Sequence, residues 1–144
     1  MAFLILFEPE IAHNVGALVR TSVCFGSKLV IIRPTGFVWD PSLLRRSAMD
    51  YFEDANIQFF DCFDEFKDVH DGRIIGTSIG FGRDYSKFEF RENDGIVLGR
   101  ESVGLPKELY DKFDDSITIP IQSRSLNLST AGAIIIARAN SYKI

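Results

Sequence analysis

Three polar runs in this chain carry the residue types and spacings that could hold a ligand. The last is Ile119-Pro120-Ile121-Gln122-Ser123-Arg124-Ser125-Leu126-Asn127-Leu128-Ser129-Thr130-Ala131. An apolar stretch gives way to polar residues and then to a small-residue helix, with Ser125 and Asn127 set where the helix would begin. Such a turn exposes backbone amides and carbonyls that neither strand nor helix satisfies, and a ligand can take those bonds. The same run also reads as a capped helix entry after a buried strand. The other two runs are Glu8-Pro9-Glu10-Ile11-Ala12-His13-Asn14-Val15-Gly16-Ala17-Leu18-Val19-Arg20 and Gly95-Ile96-Val97-Leu98-Gly99-Arg100-Glu101-Ser102-Val103-Gly104-Leu105-Pro106. Each reads as a strand, a polar loop with glycine, and a helix. All three loops would follow the C-terminal ends of strands, where open α/β sheets bind ligands. Arg20 stands six residues after Asn14, under two helical turns, so the pair is expected to flank one pocket.

The elements that must position these loops are legible as apolar runs. Strands are expected over Phe3 to Phe7, Lys28 to Ile32, Ile57 to Phe60, Arg73 to Thr77, Gly95 to Leu98 and Ser116 to Ile119. They are short, rich in Val, Ile and Phe, and mostly not alternating, which suggests a parallel sheet covered on both faces. Helices are expected from Asn14 to Cys24, with Val15, Leu18, Val19 and Ser22 on one face, and from an Asp40-Pro41 start. A short acidic helix covers Phe63 to Val69, another runs from Pro106 through Phe113, and the last from Ser129 to Ser141. Alternation of strand and helix means a doubly wound α/β fold. Gly76-Thr77-Ser78-Ile79-Gly80-Phe81-Gly82 does not open a helix and reads as a loop.

The chain has 144 residues, of which 46% are hydrophobic. That suits one globular domain with a real core. No apolar run approaches the roughly 20 residues of a membrane span. The apolar start meets Glu8 at once and reads as a first strand, not a signal peptide. Two cysteines, Cys24 and Cys62, without CxxC spacing or a histidine cluster, argue for a reducing compartment and against a zinc site. The expectation is a cytoplasmic protein with no metal and no membrane attachment. The formal charge is -4. Between Tyr51 and Asp71 stand seven acids and one base, a net -6, which leaves the remainder at +2. The acidic strip reads as a solvated helix face, and a nucleic-acid surface can exist away from it.

In order, spacing and local residues, the three runs resemble the three motifs of the SPOUT superfamily of RNA methyltransferases. Among these, the likeness is greatest to the tRNA wobble-nucleotide ribose 2'-O-methyltransferases of the TrmL type. It runs from Phe3 to about Arg138 and takes in Pro34-Thr35-Gly36-Phe37-Val38-Trp39-Asp40, Leu44-Arg45-Arg46 and Asp50-Tyr51. The resemblance implies a single SPOUT domain over residues 1–144 with a C-terminal trefoil knot, a rarity among folds. It implies S-adenosylmethionine as cofactor, with contacts at Gly76, Gly99, Ile119 and Ser125 and with Ile121 and Leu126 as neighbours. It implies Arg20 as the catalytic arginine, with Asn14 and Glu101 beside it and Asn127 holding the knotted loops. Because the sulfonium is already activated, the transfer needs no metal. A guanidinium is essentially never deprotonated in proteins. Arg20 therefore reads better as a clamp on a phosphate or a developing alkoxide than as a base.

The resemblance also implies a homodimer in which the first-motif arginine approaches the partner's cofactor. Val15, Leu18 and Val19, with Ala133, Ile134 and Ile136, are candidates for that contact and equally for the core. The partner RNA is expected to be the anticodon loop of leucine tRNAs, methylated at a wobble pyrimidine, with Arg45 and Arg46 on its phosphates. The alternatives are another tRNA site, ribosomal RNA, or a non-catalytic RNA-binding domain. This chain departs from the pattern at Arg100, where a small residue or proline is usual, and near Ala137, where relatives carry an aromatic.

Overall fold

The computed structural model describes residues 1–141, apart from the side chains of Leu43, Arg45, Arg46, Ser47, Met49 and Asp50. The expected phosphate contacts at Arg45 and Arg46 therefore lie outside the described residues. Seven strands form one sheet: β1 (Phe3–Phe7), β2 (Leu29–Ile32), β3 (Ile57–Phe60), β4 (Ile74–Ser78), β5 (Arg83–Asp84), β6 (Gly95–Leu98) and β7 (Asp115–Thr118). Their order across the sheet is β3-β2-β1-β6-β4-β7-β5, and every pairing is parallel. Four α-helices join them: α1 (Ala12–Phe25), α2 (Pro41–Ala48), α3 (Phe63–Val69) and α4 (Leu128–Ala139). Two 3-10 segments cover Met49–Asp54 and Lys107–Lys112.

The lack of alternation in the central strands has a simple cause. Every residue of β1, β2 and β6 is buried, because helices cover both faces of the sheet. Successive side chains still point to opposite faces. Leu4, Leu6, Ile31, Ile96 and Leu98 meet Val15, Leu18 and Val19 of α1 and Ile135 and Ile136 of α4. Phe3, Ile5, Phe7, Val30 and Val97 meet Phe63 and Phe66 of α3 on the other face. The acids of α3 are exposed on the side of the sheet away from α1, whereas Glu53 and Asp54 of the same strip are exposed on the 3-10 segment that packs against α1.

Val15, Leu18, Val19 and Ile136 are fully buried within the single chain. They belong to the core, which leaves half-buried Ala133 and Ile134 of that candidate set for any contact between copies. Pro41 does open α2, with Asp40 Oδ1 accepting from the Ser42 amide at 3.0 Å. The helix expected from Pro106 is a 3-10 segment instead, and β4 extends through Ser78, so the glycine-rich run is part strand. The two-residue β5 was not expected. Since all strands run the same way, the segments after β1, β4, β6 and β7 emerge along one edge of the sheet.

Candidate active site

That edge holds a cavity of about 970 Å³ lined by residues of all three motif loops. Asn14, Gly99, Glu101, Ile119, Ile121, Ser125, Leu126 and Asn127 all line it. Gly76 does not. A Cβ there would stand 2.2 Å from the Phe113 ring, so the glycine makes room for core packing. Its successors Thr77 and Ser78 reach the cavity in its place. Gly99 is demanded by the loop itself. A Cβ there would meet the backbone of Gly104 at 2.7 Å, where the chain folds back through mutual Arg100 and Gly104 amide-to-carbonyl bonds. The unusual Arg100 closes this loop further. Its Nε donates to the Gly104 carbonyl at 3.1 Å, and its guanidinium lies 5.7 Å from the Phe7 ring centre.

A network of hydrogen bonds ties the loops to one another. The N-terminus of α1 has no cap from its own N-cap residue, Ile11. The Glu101 carboxylate supplies one from the second loop, accepting from the Glu10 and Ile11 amides at 2.8 Å each and from Asn14 Nδ2 at 3.3 Å. Asn127 Nδ2 donates to Asn14 Oδ1 at 3.1 Å, while Asn127 Oδ1 caps α4 by accepting from the Ser129 and Thr130 amides. The Glu10 carboxylate returns the tie, accepting from the Ser102 amide at 2.9 Å and the Ser102 hydroxyl at 2.8 Å. Asn14 and Glu101 thus commit their polar atoms to α1, α4 and each other.

The Ser102 amide, then its hydroxyl, hold the Glu10 carboxyl below its usual value of 4.5. A depressed folded-state pKa means the tie stabilises the fold above that usual value and is lost as pH falls through the folded-state pKa. Thermal melts taken from about pH 6 to about pH 3 should show Glu10→Gln losing less stability on acidification than the parent. Identical acid limbs would mean that the Glu10 tie does not form.

The cavity wall fits a nucleoside-bearing cofactor. Leu98, Ile117, Ile119, Ile121, Leu126 and Leu128 give an apolar slot. Among the described residues, none of the backbone amides from Ile121 to Leu126 donates to another protein group. Behind the slot, the Tyr110 hydroxyl donates to the Thr77 carbonyl at 2.8 Å, and burial raises its pKa.

Arg20 does not flank this cavity. It is exposed, and its guanidinium lies 5.3 Å from the centre of the Tyr51 ring. Six residues at 3.6 per turn are about 240° around a helix, so Asn14 and Arg20 point to different sides of α1. His13 is exposed and stands outside the lining.

Residues 1–137 match the SpoU rRNA Methylase family. This chain belongs to that family. The tRNA (cytidine(34)-2'-O)-methyltransferase of Ancylobacter novellus is 37% identical over 141 residues, covering 94% of this chain and 89% of its own. A solved structure described as giving insights into the 2-OH methylation of C/U34 on tRNA matches at TM-score 0.93 and 32% identity, covering 99% of this chain and 97% of that one. A SpoU methyltransferase from Streptomyces viridochromogenes, solved in complex with AdoMet, matches at TM-score 0.88 over 98% of this chain and 57% of that one. At 20% identity that likeness shows the fold. In this family the expected α/β SPOUT architecture holds.

Sequence reasoning missed Glu10 and Ser102, which the fold brings together from 92 positions apart. It also missed Tyr51 as the neighbour of Arg20. Neither pair has a local signal.

Proposed function

We propose that this chain transfers a methyl group from S-adenosylmethionine to the ribose 2'-hydroxyl of the pyrimidine at the first anticodon position of tRNA. The observation that carries this reading is the cavity built from three hydrogen-bonded motif loops, in a chain whose relatives over nearly its full length are named for that reaction. Bound S-adenosylmethionine supplies a methyl group activated on a sulfonium. The work left to this chain is to hold the cofactor's adenosine among Gly99, Ile119, Ile121, Ser125 and Leu126 and to place the hydroxyl in line. Such positioning supplies several kcal/mol of a displacement barrier, on the order of 7–11 at best. Asn14 and Glu101 act as positioning residues, fixing the first and second loops around the cavity.

Arg20 is the group assigned to the acceptor oxygen, where a guanidinium stabilises charge as the proton leaves. Its distance from its own cavity supports a homodimer in which Arg20 of one copy serves the cavity of the other. The course of residues 119–127, from β7 past the Gly99–Leu105 loop to α4 against α1, supports a threaded C-terminal segment, the trefoil knot. The reading extends to leucine tRNAs as substrates, to Arg45 and Arg46 as phosphate contacts, and to a cytoplasmic site of action in one methyltransferase domain. No described helix is long and apolar enough to cross a membrane.

The matching family is described by ribosomal RNA, which favours an rRNA target as the second reading. Mass spectrometry of tRNA and ribosomal RNA incubated with the protein and isotopically labelled S-adenosylmethionine decides between them. Label on the ribose of the first anticodon nucleotide is the expected result. Label only in ribosomal RNA, or on a base atom, overturns the assignment.

A further inference from the structure

The rim of the cavity carries a cation that no described residue neutralises. Arg124 is exposed and lies in the third loop, one residue before Ser125, which lines the cavity. Among the described residues Arg124 has no carboxylate, ring or hydrogen-bond partner. Arg100, which lines the cavity from the second loop, is committed: it is held by the Gly104 carbonyl and the Phe7 ring. Lys107 lines the cavity but has Glu108 beside it in the chain. Of the carboxylates in the three runs, Glu10 and Glu101 are occupied by amide donors, and neither they nor Glu8 pairs with Arg124. No acid stands anywhere from Ile119 to Asn127.

We infer that Arg124 binds a backbone phosphate of the RNA next to the ribose that is methylated. This rests on the proposed transfer to RNA and adds a substrate contact to it. A ribose whose 2'-hydroxyl faces the cavity necessarily carries phosphates on both sides, and these must pass over the rim. A guanidinium gives a planar, two-pronged match to a phosphate, which a loop of free backbone amides alone does not. Phosphate contacts set the register of the RNA without reading its sequence. Arg124 therefore fixes where the hydroxyl falls, while the neighbouring Ser125 and Leu126 belong to the cofactor side.

The test uses the full chain, S-adenosylhomocysteine and a tRNA transcript with a pyrimidine at the first anticodon position. Each phosphate contact made to a single strand contributes about 0.7 to the slope of log Kd against log salt. Arg124→Gln should make that slope shallower by about this amount, weaken tRNA binding roughly tenfold, and leave S-adenosylhomocysteine affinity unchanged. Arg124→Lys, which keeps the charge, should keep most of the slope. The inference is overturned if Arg124→Gln leaves the slope and the tRNA KM unchanged while the parent methylates the transcript. It is equally overturned if the loss appears in S-adenosylhomocysteine binding, since Arg124 would then belong to the cofactor site. A parent protein that methylates no tRNA refutes the function proposed above, a separate outcome read from the unmutated chain.

Discussion

Arg20→Ala should cut methyl transfer by at least about 100-fold at saturating tRNA, the range seen when a group stabilising a developing oxyanion is removed. Affinity for S-adenosylhomocysteine should stay within a few-fold, because Arg20 does not line its own cavity. The same geometry makes a sharper demand. Arg20 projects from the side of α1 away from Asn14, over Tyr51, and in the proposed homodimer it serves the cavity of a second copy. Co-expressing an Arg20→Ala chain with a chain whose cavity is blocked by Ser125→Trp should restore activity to about a quarter, since half of randomly paired dimers are mixed and each has one composite site. No recovery in mixed dimers would show that each chain serves itself. Near-normal turnover by Arg20→Ala alone would remove it from the reaction altogether.

The parts of the fold that could be read from the residues are those governed by burial. β1 and β6 have the expected bounds because continuous apolar runs are what a parallel strand under two layers requires; β3 has its expected bounds too, as a half-buried edge strand with Gln58 exposed. β5 could not be read. Arg83 and Asp84 have no strand character of their own and pair with β7 only because the chain returns to the sheet edge. The segment from Pro106 was read as a helix because proline at a helix start is a local signal. Its 3-10 form was not legible in those residues.

The site divides in the same way. Gly99, Ile119, Ile121, Ser125 and Leu126 were legible because local motif and cavity coincide. Gly76 is expected at the cofactor by resemblance, but it does not line the cavity, and what demands a glycine there is the Phe113 ring. The Asn14 and Arg20 spacing misled because closeness along a helix is not closeness around it. The Glu10 and Ser102 tie gave no signal, because both are common loop residues and only the parallel order of β1 and β6 brings them together.

Glu101→Ala should destabilise the fold and loosen cofactor binding together. The carboxylate accepts two backbone amides at the start of α1 and the side chain of Asn14, and no other described group caps that helix. Hydrogen bonds to a charged group are each worth about 1.5–3 kcal/mol. Water reaches the Ile11 end of this set, so the net loss should be about 2–3 kcal/mol, or roughly 4–12 °C in Tm for a chain of this size. Untying the second loop from α1 frees one wall of the cavity, so S-adenosylhomocysteine should bind roughly tenfold more weakly, about 1.4 kcal/mol. Because a ligand stabilises the folded state it binds, saturating S-adenosylhomocysteine should recover part of the lost Tm. Glu101→Gln should fall between the two, since its amide oxygen can accept one backbone N–H while its NH₂ faces the other donor. Turnover lost with Tm and S-adenosylhomocysteine affinity both intact would mean that Glu101 touches the reacting groups. In that case the network linking Glu101, Asn14 and Asn127 would not be what holds the site in shape.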